Sequence, residues 1–514
     1  MRSRPTREKG GPSMNRQTTS LLRTAAVATL LGVMLAGCSP GPAYIRPTVT
    51  VPDQFKEASR TAPGWQPAHP RDDADRGAWW TLFGDATLDD LEAKVDVGNQ
   101  TIAKSVASLA QAKAMVGTAR SSYFPTVTAG VSADRAHTSQ NVVGRSLAGK
   151  TVSDFNAGLT VSWEPDLFGR IGYQVKAAQA RYQASEADLA SVRLAMQAEL
   201  AIDYIDLREL DAEAALLQQT VADYARARAL VNTRYQGGIA SESDLQQAET
   251  QWQAAQAQLI DLGESRAQHE HAIAVLIGVP PAQLSLPVNT QPLSLPSVPA
   301  GVPSILLQRR PDIAAAERRV AAANADVGEA TSAFFPDLLL SASGGLEASK
   351  LAQFAMLPSR FWAIGPALVG TLFDGGRRKQ ELAGANASHD AAAADYRQTV
   401  LTAFQDVEDN LASLRVLGDE SATQQHAVDA ASRAAQLSLT RYRDGATDYL
   451  EVVSTQSVSL TQSRNLVELS RRRLEADVRL IKALGGGWSG LDVPLGSHDV
   501  AALNLSPAKG IEAP

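Results

Sequence analysis

The second half of this chain repeats the first at a nearly constant offset, which restricts the fold more than any single residue. Asn99-Gln100-Thr101-Ile102-Ala103 returns as Arg310-Pro311-Asp312-Ile313-Ala314, and Tyr123-Phe124-Pro125 as Phe334-Phe335-Pro336, each 211 positions later. Leu167-Phe168 returns as Leu372-Phe373, 205 positions on. Arg234-Tyr235-Gln236 with Gly238 returns as Arg441-Tyr442-Arg443 with Gly445, the tyrosines 207 apart. Periods of about 20–50 residues build solenoids, whereas an offset this large marks a duplicated domain-sized unit suited to pseudo-symmetric assembly. Each copy reads helix, strand pair, very long helix, turn, helix.

The N-terminus reads as a leader. Residues 1–37 carry Arg2, Arg4, Arg7, Lys9, Arg16 and Arg23 against Glu8, followed by an apolar run from Ala25 to Leu35. Either Met1 or Met14 can start it, since Asn15 to Arg23 suffices as the basic region. Leu35-Ala36-Gly37-Cys38 resembles a bacterial lipoprotein signal, which makes Cys38, the chain's single cysteine, the lipidation site. Ser39 in the next position favours sorting to the outer membrane. Subtracting the leader's charge of +5 from the whole-chain value of -7 leaves the remainder at -12. Nucleic-acid binding needs a basic surface, so a chain this acidic is a poor candidate for it. One cysteine also excludes an internal disulfide framework and a thiolate metal cluster.

No later run reaches the roughly 18–20 apolar residues of a spanning helix, so a membrane crossing must use strands. After Phe124-Pro125 the hydrophobic period becomes two. Val127, Ala129, Val131 and Ala133 alternate with Thr126, Thr128, Gly130 and Ser132. Phe155, Ala157, Leu159, Val161 and Trp163 then alternate with Asp154, Asn156, Gly158, Thr160 and Ser162. The second copy sets Leu338, Leu340, Ala342, Gly344 and Leu346 against Asp337, Ser341, Ser343 and Glu347, and Trp362, Ile364, Pro366 and Leu368 against Gly365, Ala367 and Thr371.

These are hairpins with one apolar and one polar face. A soluble sheet on a core would show the same alternation. The strand length of about ten residues, the aromatic residues at the strand ends and the lack of an apolar partner favour strands in lipid. Tyr123, Phe124, Trp163, Phe334, Phe335, Phe361 and Trp362 form that candidate girdle. Four strands cannot close a barrel, whose smallest single-chain form has about eight. Identical subunits must share one, and three copies supply twelve strands. Asp154, Asp337 and Glu347 are expected to be solvated on the lumen side.

From Asp166 to about Leu230, and from Asp374 to about Leu439, the pattern is helical without proline. Each run would span on the order of 95–100 Å, and helices this long need coiled-coil partners. Ser243–Ile277 and Asp448–Leu484 return antiparallel after turns at Gly237, Gly238 and Gly445. The predicted organisation is a signal peptide at 1–37 and an extended equatorial segment at 38–85. A first repeat at 86–279 (hairpin 124–164) and a proline-rich equatorial linker at 280–309 follow. A second repeat at 310–484 (hairpin 335–373) and a tail at 485–514 complete it.

With these segments in place the chain resembles the TolC/OprM-like outer-membrane factors of tripartite efflux systems, in their lipoprotein branch. The match runs from Cys38 to about Leu484. The resemblance rests on the lipobox, Phe124-Pro125, Trp163-Glu164-Pro165-Asp166-Leu167-Phe168-Gly169-Arg170 and Arg309-Arg310-Pro311-Asp312-Ile313. Phe335-Pro336, Leu372-Phe373-Asp374-Gly375-Gly376-Arg377 and the two Arg-Tyr turns extend it. It implies a mainly α fold with a membrane β-barrel: a homotrimer whose twelve-strand barrel continues into a twelve-helix coiled-coil α-barrel. It also implies a passive exit duct for drugs and toxic compounds, lipid-anchored in the outer membrane and extending into the periplasm. Its partners would be a periplasmic adaptor and an inner-membrane RND-type pump. A duct for type I protein secretion shares this architecture, and a non-channel envelope lipoprotein is the structural alternative.

By the same resemblance, the turns at Gly237, Gly238 and Gly445 dock the adaptor, and Tyr442, Asp444, Asp448 and Glu451 form the periplasmic gate. Glu451 aligns with a family aperture carboxylate and Tyr442 with the gating tyrosine. Ser454 stands where some relatives carry a second aspartate, leaving open one or two acidic rings. Threefold symmetry would gather like carboxylates and favour cations there. No catalytic constellation, cofactor motif or metal motif emerges. Seven histidines (69, 137, 269, 271, 389, 426, 498) accompany no Gly-x-Ser-x-Gly elbow. His269 and His271 lie two apart on a predicted helix, point to nearly opposite faces and are expected to be solvated. Gly485-Gly486-Gly487 follows a helix rather than opening one, which suits a stop and not a phosphate loop.

Overall fold

The computed structural model describes residues 40–52, 54–57, 78–141, 147–296 and 310–486. The leader, Cys38, the second half of the linker and nearly all of the tail lie outside these residues. Eleven elements are labelled here: α1 (Ala86–Gly98), α2 (Gln100–Ser121), β1 (Thr126–His137), β2 (Thr151–Trp163), α3 (Arg170–Gln236), α4 (Glu242–Leu276), α5 (Pro311–Ser332), β3 (Asp337–Ala348), β4 (Arg360–Val369), α6 (Arg377–Arg443) and α7 (Tyr449–Ala483).

The duplication is visible in the element lengths. Helices α2 and α5 both have 22 residues, α3 and α6 both 67, and α4 and α7 both 35. The long helices start later than the sequence pattern suggests, because Asp166 and Asp374 cap them instead of joining them. Asp166 accepts from the amides of Ile171 (3.1 Å) and Gly172 (2.7 Å). Asp374 accepts from the amides of Gly376 (3.0 Å) and Arg378 (3.3 Å). A carboxylate there satisfies free N–H groups and complements the positive helix end.

The chain divides into two compact units. One holds the described residues up to Thr48 together with Ala107–Glu186 and Ala316–Gln398. It contains an antiparallel sheet in the order β1-β2-β3-β4, so β1 and β4 are its two edges. The register aligns the apolar positions in rows. Val127, Val161, Ala342 and Ile364 form one row, and Ala129, Leu159, Gly344 and Trp362 the next. The other face runs through Thr128, Thr160 and Ser343, and through Ser132, Asn156 and Glu347. Among the described residues no core covers the apolar face: Val131 is 85% exposed, Trp362 79% and Ile364 76%.

Aromatic side chains gather at the base of the sheet. The Trp163 indole N–H donates to the Tyr123 carbonyl (2.9 Å), and Phe168 stacks on Phe335 at 4.9 Å. Asp337, at the start of β3, is 54% exposed, in keeping with a solvated position. It lies 3.8 Å from the Arg170 guanidinium, which also donates to Glu164 (2.6 Å).

The second unit holds Val49–Val106, Ala187–Ala315 and the residues from Thr399 onward. Its main core packs Trp79, Phe83, Leu88, Leu91 and Val95 against Leu200, Tyr204, Ile205, Ile273, Leu474 and Val478. The described part of the proline-rich linker is strapped to this core by two arginines, one buried and one partly buried. Arg208 is 4% exposed, pairs with Asp85 and Tyr204, and donates to the carbonyls of Asn289 (2.9 Å) and Gln291. Arg266 binds Asp211 (2.7 Å), Glu270 (3.1 Å) and the Leu286 carbonyl (2.9 Å). Each guanidinium presents several donors in a rigid fork, so one side chain satisfies backbone that forms no ladder of its own.

Candidate functional site

Both helical hairpins of the second unit reverse at turns of the same construction. Gly238 (φ 72°) and Gly445 (φ 75°) sit in the left-handed region. The following amides fold back: Ile239 N–H to the Arg234 carbonyl and Ala446 N–H to the Arg441 carbonyl, both 2.8 Å. The next helix is capped at once. Ser241 and Asp244 form a reciprocal capping box, each bond 3.1 Å. Asp448 takes the Ser241 position in the second copy and accepts from the Glu451 amide (3.1 Å). Gly237 does not adopt the left-handed conformation, so only one glycine of that pair is needed for the reversal.

Between the turns lies a small core of Val231, Ala248, Tyr442, Tyr449 and Val452. Tyr442 is 5% exposed within the chain and meets the Tyr449 ring edge-on at 5.3 Å. The Arg234 guanidinium lies 4.7 Å from the Tyr442 ring centre and donates to the Tyr442 carbonyl, so the first turn clamps the second. Burial raises the Tyr442 phenol, which Arg234 partly offsets, and its hydroxyl has no hydrogen-bond partner.

The four anticipated gate residues therefore have distinct surroundings. Tyr442 is packed inside this cluster, Asp444 is exposed beside Gly445, and the exposed Asp448 caps α7. Glu451 is held by Arg441 (2.9 Å) and by the Thr447 hydroxyl. Arg234, Arg441 and Tyr449 were not singled out from the sequence. The repeat carried a signal for the arginines, which occupy equivalent places in the two turns yet bind different partners. Arg234 crosses to the other hairpin, whereas Arg441 stays within its own.

Adjoining this core is a groove of about 540 Å³ between α4 and α7, whose lining includes Tyr224, Gln246, Gln247, Gln251, Ser457 and Thr461. Ala254, Ala255, Val453 and Leu460 complete a mixed lining, and the buried Gln247 carbonyl oxygen has no partner there. The expectation that His269 is solvated is corrected. Its ring is half-buried and Nδ1 lies 3.0 Å from Asp203 Oδ1, while His271 is exposed. Cys38 lies outside the described residues; nearby, the Gly41 amide donates to the Tyr173 hydroxyl at 2.9 Å.

No helix among the described residues is long and apolar enough to cross a membrane. The toluene efflux pump outer membrane protein TtgF of Pseudomonas putida is 31% identical over 476 residues, covering 91% of this chain and 98% of that protein. The pyoverdine export outer membrane protein OpmQ of Pseudomonas aeruginosa is 32% identical over 463 residues, covering 89% and 95%. The solved outer-membrane channel OprN superposes with a TM-score of 0.79 at 30% identity, covering 88% of this chain and 100% of that one. A family description, outer membrane efflux protein, matches residues 94–279 and 302–486, one match for each copy of the repeat. With its paired units and its sheet matched in this way, the chain belongs to the outer membrane efflux protein family.

Proposed function

We propose that the protein is the passive outer-membrane exit duct of a tripartite efflux system and works as a homotrimer. The observation that carries this reading is the sheet: four strands, two open edges and an exposed apolar face in one chain. Unpaired edge N–H and C=O groups are not tolerated in lipid, so the edges must meet those of other copies. Three chains give twelve strands, with the row of Thr128, Thr160 and Ser343 toward water and the row of Val127, Val161 and Ile364 toward lipid. Helix α2 and the first half of α6, both alanine-rich, leave most of their residues exposed in one chain, which supports closure of a helical tube by the same symmetry.

The hairpin turns form the periplasmic end. Gly237, Gly238, Gly445 and the groove beside them receive a periplasmic adaptor, which links the duct to an inner-membrane RND-type pump. Tyr442, Asp444, Asp448 and Glu451 compose the gate. In this protein the closed state is held by Arg234 on Tyr442 and Arg441 on Glu451, which lock the hairpins until the adaptor engages. Lipid on Cys38 anchors the chain, and Gly41 on Tyr173 holds the anchored segment to the first unit. The cargo is a small molecule rather than a folded protein, a reading supported by the toluene and pyoverdine named for TtgF and OpmQ.

Deleting the gene while leaving the pump genes intact should sensitise cells to solvents, dyes and hydrophobic antibiotics. Unchanged susceptibility would reject the efflux role. In planar bilayers the wild-type trimer should show small discrete conductances, and Glu451→Ala or Arg441→Ala should enlarge them. Equal conductance in all three would remove the gate.

A further inference from the structure

Three side chains that the duct does not use converge in the second unit. Asp203 and Asp206 lie three apart on α3 and so share a face, and His269 faces them from α4. His269 Nδ1 is 3.0 Å from Asp203 Oδ1 and 4.0 Å from Asp206 Oδ2, and one donor atom from each residue lies within 4.8 Å of the others. A tetrahedral ion with bonds near 2.0–2.1 Å holds its donors about 3.3–3.5 Å apart, which these separations bracket. We propose that Asp203, Asp206 and His269 form a binding site for a borderline divalent cation of the zinc class, joining α3 to α4.

The surroundings are arranged as a ligand shell requires. Asp206 offers Oδ2 to the site because its other oxygen accepts from Arg471 (3.1 Å). That guanidinium is fixed in turn by Glu468 (2.7 Å) and by Glu475, which is 5% exposed. A ligating carboxylate oriented by a second hydrogen bond is the usual support of such sites. Five carboxylates, Asp203, Asp206, Glu209, Glu468 and Glu475, meet the four guanidiniums of Arg208, Arg471, Arg472 and Arg479 here, so negative charge is in slight excess. The imidazole donor selects against magnesium and calcium, which take oxygen ligands. Side-chain exposures of 31%, 17% and 14% leave room for water as a fourth ligand.

The test is calorimetric titration of ZnCl₂ into the purified full-length protein after chelator treatment. The site predicts one ion per chain, with affinity falling roughly ten-fold or more in His269→Gln and in Asp203→Asn, and unchanged in the exposed His271→Gln. Circular dichroism establishes that each variant folds. If one does not, the other decides, and Co²⁺ added to the wild type should give the visible absorption of a tetrahedral nitrogen–oxygen site. Absence of stoichiometric binding, or binding equal to wild type in the folded variants, would overturn the site and leave the three residues as an internal hydrogen-bond network.

Discussion

Glu92 of α1 shows what a single side chain can impose. It is 0% exposed, and neither carboxylate oxygen has a hydrogen-bond partner. Burial, reinforced by Asp96 and Asp89, pushes its pKa up from 4.5 to about 9. A charged carboxylate without partners is not tolerated in such a place, so the group stays protonated near neutrality. Its folded pKa is the higher one, so its contribution is complete below pH 4.5 and declines as pH rises toward about 9. The steepest slope is about 1.4 kcal/mol per pH unit. Glu92→Gln should remove that slope and raise stability at pH 8. Tryptophan fluorescence during urea unfolding can read it, because Trp79 and Trp80 lie in the same core. A variant with the wild-type slope would refute the assignment. The family resemblance drew attention to Tyr442 and Glu451, but could not reveal that Arg234 meets Tyr442 or that His269 meets Asp203. Those partners are far apart in the chain, and only helix register brings them together.

At the scale of elements the sequence was legible where periodicity is strong. Alternation assigned the strand residues to the faces on which the register places them, because a period of two leaves no freedom once one strand is aligned. Helix starts were less legible, since Asp166 and Asp374 read equally well as a first helical residue or as a cap. The turns were misread in one respect, with Gly237 and Gly238 treated alike although only Gly238 has a positive φ. This difference makes a prediction. A Cβ at Gly445 meets nothing closer than 3.7 Å, and one at Gly237 nothing closer than 3.5 Å, so neither is blocked by sterics. The backbone decides: Gly445→Ala should cost about 1–2 kcal/mol locally, whereas Gly237→Ala should be nearly neutral. Hydrogen exchange of the Ala446 and Glu451 amides reports the first, and that of Ile239 the second. Equal protection losses in both variants would mean that φ is not the controlling variable.

For the whole molecule, the duplication and the open sheet lead to one geometrical requirement. Each chain ends its sheet at β1 on one side and β4 on the other, and these strands are not neighbours within the chain. If three chains close a barrel, β4 of each subunit must pair with β1 of the next. A cysteine at Gly130, combined one at a time with cysteines from Phe361 to Val369, should then cross-link between subunits at one position and at those two residues away from it. Alternation puts every second side chain on the same face, which explains that spacing. On denaturing gels the oxidised product should migrate as a covalent trimer, because a cyclic arrangement carries the bond around all three contacts. A soluble monomer whose sheet folded back on itself would give intramolecular bonds and no ladder of oligomers. The register between subunits is beyond the reach of the sequence for a physical reason: if each edge is completed by a strand of another copy, no local pattern in one chain encodes it. The demand for a partner was nonetheless readable, because the alternation leaves an apolar face that the described residues do not cover.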